Sequence, residues 1–141
     1  MNQFKEVNEG VFIGPQPTED DLHNARRQGI KTVIDFRLPA ETTTSNETLT
    51  KNAGLDYANI PVDKANLSMD QIGQLDNVMK SKQGPFLLHC GTGVRAALLY
   101  SLNRAKQQGW TARQTFDESK RMGFDLKTSP EFSAFVTKAT A

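Results

Sequence analysis

The sequence predicts an α/β domain in which a central, mostly parallel sheet is flanked by helices. Three observations predict it. Short apolar, β-branched runs alternate with segments of helical periodicity. Glycine or proline punctuates many of the junctions between them. The 141 residues are the length of one ordinary domain, and no internal repeat or low-complexity tract divides them. The chain is therefore read as a single domain, 1–141.

The elements follow in order. Val11-Phe12-Ile13 is a short strand ended by Gly14-Pro15. Thr18 caps a first helix, with Asp21 three residues on and Leu22, Ala25 and Gly29 along one face. Lys31 to Phe36 is β-branched and reads as a buried strand. Pro39 to Ser45 is loop, and a short helix from Asn46 to Ala53 stops at Gly54. Leu55 to Ile60 is a third strand, closed by Pro61. Ser68 and Gln71 form a capping box ahead of Met69, Ile72, Leu75 and Met79 at helical spacing. Pro85 opens the strand Phe86-Leu87-Leu88. A helix from Gly93 to Gln108 is apolar around much of its circumference and is expected at the centre of the fold. Thr111 and Gln114 cap a helix carrying Phe116, and Ser129-Pro130 starts a last one striped by Phe132, Phe135, Val136 and Ala139. Ligands of such sheets bind at the carboxyl ends of the strands.

Composition narrows the function. Seventeen basic residues oppose 16 acidic ones, for a net charge of +1. That supplies no field to gather nucleic acid or an anionic membrane. No apolar run reaches the ~20 residues that span a bilayer. Residues Met1 to Gly10 are polar and mixed, unlike a secretory signal, so a cytoplasmic protein is expected. The single cysteine, Cys90, excludes an internal disulfide and a cysteine-cluster metal site. It is either an inert core residue or a reactive thiol, and its neighbours decide which.

Those neighbours are Leu88-His89-Cys90-Gly91-Thr92-Gly93-Val94-Arg95, where a buried strand is expected to end and the central helix to begin. The first N–H groups of a helix lack intrahelical partners, and that end carries positive dipole charge. Glycines at 91 and 93 let the backbone curl so that several N–H groups point inward, making an anion cradle. Arg95 adds a permanent charge and a planar fork matched to two phosphate oxygens. Helix N-termini and nearby cations lower thiol pKa values, so a thiolate facing a bound tetrahedral anion is expected at Cys90. His89 either orients the loop or is a satisfied strand histidine. His23 lies on a polar helix face and is read as surface.

The His-Cys-x-x-Gly-x-Arg pattern on a strand–loop–helix resembles the signature of cysteine-based protein tyrosine and dual-specificity phosphatases. Further segments agree in order: Gly10-Val11-Phe12-Ile13-Gly14-Pro15-Gln16-Pro17, Gly29 to Arg37, Gly54-Leu55-Asp56-Tyr57 and Ile60-Pro61-Val62. Together, over roughly residues 8 to 108, they are similar to the bacterial beta-lactamase hydrolase-like phosphatase family. The resemblance implies a dual-specificity-phosphatase-like fold and hydrolysis of phosphate monoesters, on a phosphoprotein or a small phosphate ester. It makes Cys90 the nucleophile that forms a phosphocysteine. Arg95 and the backbone of Gly91, Thr92, Gly93 and Val94 become the phosphate grip, with His89 beside them. No metal or organic cofactor is implied.

An aspartate after the third strand protonates the leaving oxygen in the wider superfamily, and Asp63 is the match. Its other reading is a solvated loop aspartate or turn former. Asp70 is the fallback, though an acid in a helix's first turn has its own structural reason. Asp35 and Arg37 are expected to border the pocket, Asp35 by hydrogen-bonding the loop. Two departures from the superfamily pattern stand out. Four residues, not five, separate Cys90 from Arg95, a spacing shared with rhodanese-like sulfurtransferases. Ala96 stands where a Ser or Thr commonly helps the thiolate leave. They keep two alternatives open: sulfur transfer through a Cys90 persulfide, and a non-catalytic module that binds a phosphorylated partner.

Overall fold

The computed structural model describes residues 3–41 and 46–141. The loop expected over Pro39 to Ser45 is described only as far as Glu41, and its remainder lies outside the described residues. Two strands, β1 (Lys5–Asn8) and β2 (Val11–Gly14), precede helix α1 (Glu19–Arg27). Strand β3 (Thr32–Asp35), a 3-10 turn at Pro39–Glu41, α2 (Asn46–Asn52) and β4 (Asp56–Asn59) follow. Then come α3 (Met69–Ser81), β5 (Phe86–His89) and α4 (Val94–Gln108). The chain closes with α5 (Ala112–Arg121), a 3-10 turn at Leu126–Thr128, and α6 (Pro130–Ala139).

The five strands form one sheet in the order β1-β2-β5-β3-β4. All pairings are parallel except β1 with β2. The predicted α/β class therefore holds. The sheet gains one strand over the sequence reading, the antiparallel edge strand β1. Its side chains are exposed except for Val7. It is held from outside the sheet as well: Arg121 Nη2 donates to the Val7 carbonyl at 2.9 Å, Lys5 Nζ to the Arg121 carbonyl at 3.1 Å, and Asn8 Nδ2 to the Tyr100 hydroxyl at 3.0 Å.

The central strands are apolar on both faces, as parallel strands between helical layers must be. Alternation sorts them. Ile34 and Leu88 face a core shared with α3, α4 and α6, while Val33 and Leu87 face a smaller core with Leu22 and Ala25 of α1. Helix α4 lies in the middle of the larger layer and buries nine of its residues, which accounts for its apolar circumference. The capping boxes read at Thr18/Asp21, Ser68/Gln71 and Thr111/Gln114 all form, and Ser129 caps α6 with Pro130 in the first turn. Each satisfies donors that a helix start otherwise leaves orphaned. His23 is on the surface, 3.8 Å from Glu19.

Register lines up the functional edge. Gly14, His89, Asp35 and Asn59 sit side by side at the carboxyl ends of β2, β5, β3 and β4. The loop that follows His89 therefore leaves the sheet between the ends of β2 and β3.

Candidate active site

The segment from Cys90 to Gly93 turns sharply and feeds α4. Gly93 is the N-cap of α4 and has φ +104°, a left-handed conformation that costs a residue with a Cβ roughly 1 kcal/mol or more. Space is tight there as well, so a side chain would have to displace its neighbours. A Cβ on Gly93 would lie 2.9 Å from Phe124 Cζ and 3.2 Å from the Gly14 carbonyl oxygen. The turn directs the Gly93 amide at Cys90, whose Sγ accepts its hydrogen bond at 3.0 Å. Thr92 Oγ1 accepts from Val94 N at 3.4 Å, so its hydroxyl serves the start of α4. Behind the loop, Gln16 N donates to the Gly91 carbonyl at 3.3 Å. The Gly-Pro-Gln-Pro stretch after β2 is thus a strut for the loop. Cys90 itself has no exposed surface and forms the loop's floor.

Arg95, in the first turn of α4, reaches back over this loop. A cleft of about 490 Å³ is lined by Arg95, Gly91, Thr92, Val94, Val62, Asp63, Lys64, Leu38, Glu41 and Phe132. The structure thereby brings Arg95, Asp63, Gly91, Thr92 and Val94 into one cleft, while Cys90 and Gly93 are not among its lining residues. A larger cavity of about 800 Å³ lies elsewhere, between α3, α4 and the C-terminal residues, and Asp70 lines that one. Size does not make it the candidate site, because Gly91, Thr92, Val94 and Arg95, at the N-terminus of α4, all line the smaller cleft. Asp70 is accordingly apart from the cleft that Arg95 and Asp63 share.

Asp63 follows Val62 on the connection from β4 to α3. Its Oδ1 accepts from Ala65 N and its Oδ2 from Asn66 Nδ2, both at 3.0 Å. Those two hydrogen bonds, the Ala65 amide first, hold its carboxyl below the ordinary value, with a smaller pull from Arg95. The carboxylate is thus both a cleft residue and the organiser of its own turn.

One contact was not foreseeable from spacing. The Glu41 carboxylate meets Arg95 two-to-two, Nη1 to Oε2 and Nη2 to Oε1, each at 2.7 Å. Glu41 also accepts from Leu38 N at 2.6 Å. The hydrogen bond from Arg95 is the main force pushing the Glu41 pKa down to about 2. Arg95 Nη1 donates in addition to the Val62 carbonyl at 3.2 Å.

Beneath the loop lies a buried polar cluster. His89 is fully buried and Nε2 meets Asn46 Nδ2 at 3.1 Å. The amide N–H can only donate, so Nε2 accepts and the ring proton belongs on Nδ1, which faces Asp35 Oδ1 at 3.8 Å. Burial drives the His89 pKa down to about 4, against an opposing pull from Asp35, so the ring is neutral at pH 7. Asp35 differs from the expectation that it hydrogen-bonds the loop. Its carboxylate accepts from Arg37 N, Nε and Nη2 and from the Tyr57 hydroxyl, and its own backbone carbonyl accepts from Asn59. The reason is charge: Arg37 is 2% exposed, and a guanidinium that deep requires a carboxylate against it. Asp35 and Arg37 therefore shore up the sheet edge beside His89, and the Asp35 carboxylate lies 3.8 Å from the His89 ring.

Among the described residues no group of three or more His, Cys, Asp or Glu could hold a metal ion, and no helix is long and apolar enough to cross a membrane.

Comparison with known proteins agrees with this geometry. A beta-lactamase hydrolase-like protein of Agrobacterium fabrum is 31% identical over 125 residues, which cover 85% of this chain and 29% of that protein. The chain thus spans under a third of that relative's length. A solved structure of a candidate phosphatase from Neisseria meningitidis superposes with a TM-score of 0.80 at 23% identity, covering 99% of both chains. The structure of TpbA from P. aeruginosa superposes with a TM-score of 0.74 at 20% identity, over 96% of this chain and 84% of that one. At such identities these structures speak for the fold. The family model for the phosphatase-like domain of beta-lactamase hydrolase-like proteins matches residues 3–107; with the signature loop, the sheet order and that match in agreement, the chain belongs to this family.

Proposed function

We propose that this domain hydrolyses phosphate monoesters through a phosphocysteine on Cys90. One observation supports the reading: the Gly93 amide and the Arg95 guanidinium both interact with a single cysteine at the N-terminus of a central helix. A phosphoryl group entering the loop places its equatorial oxygens against loop N–H groups and Arg95, where charge gathers in the transition state. The Cys90 thiolate attacks phosphorus, the P–O bond to the leaving group breaks, and that oxygen takes a proton from Asp63. A water then attacks phosphorus, gives its proton to the Asp63 carboxylate, and the S–P bond breaks to return the thiolate and inorganic phosphate. For Asp63 to carry a proton in the first step, its carboxyl must give up at least one of the hydrogen bonds from Ala65 and Asn66. The acid role is thus tied to an opening of that turn. The substrate class is a phosphorylated protein or a small phosphate ester, bound without metal or cofactor.

The test is hydrolysis of an aryl phosphate by the wild type and by Cys90→Ser. Serine keeps the shape of the side chain but is far too weakly acidic to attack at neutral pH, so activity should vanish with the fold intact. Wild-type rates in Cys90→Ser would exclude covalent catalysis here. A thiosulfate:cyanide assay run beside it addresses persulfide chemistry, and tight phosphate binding without turnover would point to a binding module.

A further inference from the structure

The cavity of about 800 Å³ between α3, the end of α4 and the end of α6 takes no part in the proposed phosphoryl transfer. Its size falls within the roughly 300–1,000 Å³ of small-molecule sites. Ile72, Leu102 and Ala105 give it an apolar floor, each at most 5% exposed. Met69 and Trp110 stand at its walls. Met69 is half exposed, the one large apolar side chain so exposed among the described residues. The Arg104 guanidinium lies over one face of the Trp110 ring, 5.0 Å from its centroid, and is paired with Glu118 at 3.2 Å. That leaves the other face for a ligand's ring.

Gly73 points to an occupant. It lies in the interior of α3, where glycine weakens a helix relative to alanine. Its φ is not positive, so no turn calls for glycine. A Cβ built there would meet nothing within 4 Å, so no neighbour in the chain calls for it either. The space that a side chain would fill is left to the cavity, which Gly73 lines.

Two charges of opposite sign stand on the rim: Asp70 in the first turn of α3 and Lys106 in the last turn of α4. Among the described residues neither side chain has a hydrogen bond or an ion pair. A ligand with a single charge is attracted by one of them and repelled by the other. A ligand with both charges is attracted by both.

We propose that this cavity binds a zwitterion carrying an aromatic ring, as a free aromatic amino acid or a short peptide. The ring lies on the Ile72–Leu102–Ala105 floor against Trp110, where offset stacking and the Met69 sulfur both favour an aromatic partner. The ammonium group faces Asp70 and the carboxylate faces Lys106. The site is independent of the phosphatase reading, and its test reads binding rather than turnover. The competing reading is that Asp70 and Lys106 serve only their own helix ends, where an acid at the start and a base at the finish are stabilising. Charges in that role do not discriminate between ligand head groups.

Trp110 is the only tryptophan in the chain, so its fluorescence reports occupancy. The wild type is titrated with L-phenylalanine and glycyl-L-phenylalanine, and with two analogues that keep the ring and one charge, 3-phenylpropionate and 2-phenylethylamine. We expect at least one zwitterion to saturate the signal and to bind roughly three- to fivefold more tightly than either analogue, the size of an exposed ion pair. The tighter of the two zwitterions tells a free amino acid from a peptide. Lys106→Gln should erase the preference over 2-phenylethylamine, and Asp70→Asn the preference over 3-phenylpropionate. Gly73→Leu should abolish binding, with calorimetry repeating that titration because the new side chain stands near Trp110. No saturation by either zwitterion below about 10 mM, equal affinity for a singly charged analogue, or undiminished binding in Gly73→Leu would overturn the proposal. If Gly73→Leu fails to fold, the two rim substitutions decide, since both side chains are on the surface. A dimer in sedimentation that Gly73→Leu disperses would give the cavity to a second copy of the chain, and the proposal would fall.

Discussion

The backbone amide of Gly93 donates to the sulfur of Cys90 at 3.0 Å. That contact depends on a conformation only glycine holds cheaply, so the sulfur's environment and the backbone of residue 93 are one feature. In Gly93→Ala, a left-handed φ of +104° and a Cβ 2.9 Å from Phe124 both oppose the fold. The turn should respond by flattening and moving its N–H off the sulfur. Urea unfolding is expected to show a loss of about 1–3 kcal/mol, and aryl phosphate hydrolysis should fall far more than that stability loss accounts for. Full activity in Gly93→Ala would mean that the turn does not set the nucleophile.

Asp63 yields a prediction with a pH sign. Asp63→Asn should slow substrates with poor leaving groups by about 10²–10⁴-fold while sparing activated aryl phosphates. Asn66→Ala removes one of the two donors that hold the Asp63 carboxyl down. A carboxyl that loses a hydrogen bond to its charged form has a higher pKa. The alkaline limb of the profile for a poor leaving group should therefore move to higher pH in Asn66→Ala. A profile that does not move would take Asp63 out of the proton transfer.

The position after Arg95 is Ala96, buried in the main core beside Cys90. Without a hydroxyl there, loss of phosphate from the cysteine should be slow. Rapid mixing with an activated aryl phosphate should give a burst of phenol close to one equivalent. Ala96→Ser should raise the steady-state rate and leave the burst rate unchanged. Its helix-propensity cost is a few tenths of a kcal/mol, and burying the hydroxyl adds about 1 kcal/mol if it finds no partner. Absence of both burst and gain would show that dephosphorylation does not limit turnover.

His89 makes stability depend on acid. Its folded-state pKa is near 4, mainly through burial, while an unfolded histidine titrates near ~6.5. Below that value the unfolded chain binds a proton that the folded chain refuses. The stability due to the neutral ring is fully present above about pH 6.5 and is lost as pH falls toward 4, by roughly 3 kcal/mol at most. Melting curves of the wild type and His89→Gln from pH 7.5 to 4.5 should converge on the acid side. Parallel curves would show that His89 does not titrate differently on folding.

The loop was legible in the sequence because its chemistry is local. His89, Cys90, the two glycines and Arg95 fall within one strand–loop–helix passage, and local passages obey local rules. The helix starts were legible for the same reason, since a capping box spans four residues. Glu41 was not. It stands 54 residues from Arg95, in a 3-10 turn without periodicity, and only the tertiary fold puts the two together. Strand β1 escaped for a different reason. Lys5-Glu6-Val7-Asn8 buries one side chain of four, so no alternation marks it, and it exists because β2 offers an unpaired edge. Asp35 was placed at the right end of its strand but given the wrong partner, because the need to neutralise a buried Arg37 cannot be read before burial is known.

The tether between β1 and α5 bears on how the chain matures during synthesis. Val7 and Arg121 are 114 residues apart. At ~5–20 residues per second a ribosome takes roughly 6–23 s to travel between them. The β1–β2 hairpin can close within microseconds of emerging, yet two strands alone are barely stable in water. β2's other neighbour, β5, arrives only near residue 86. For those seconds β1 is a nascent edge awaiting its clasp, and the contacts that secure it join two segments made many seconds apart.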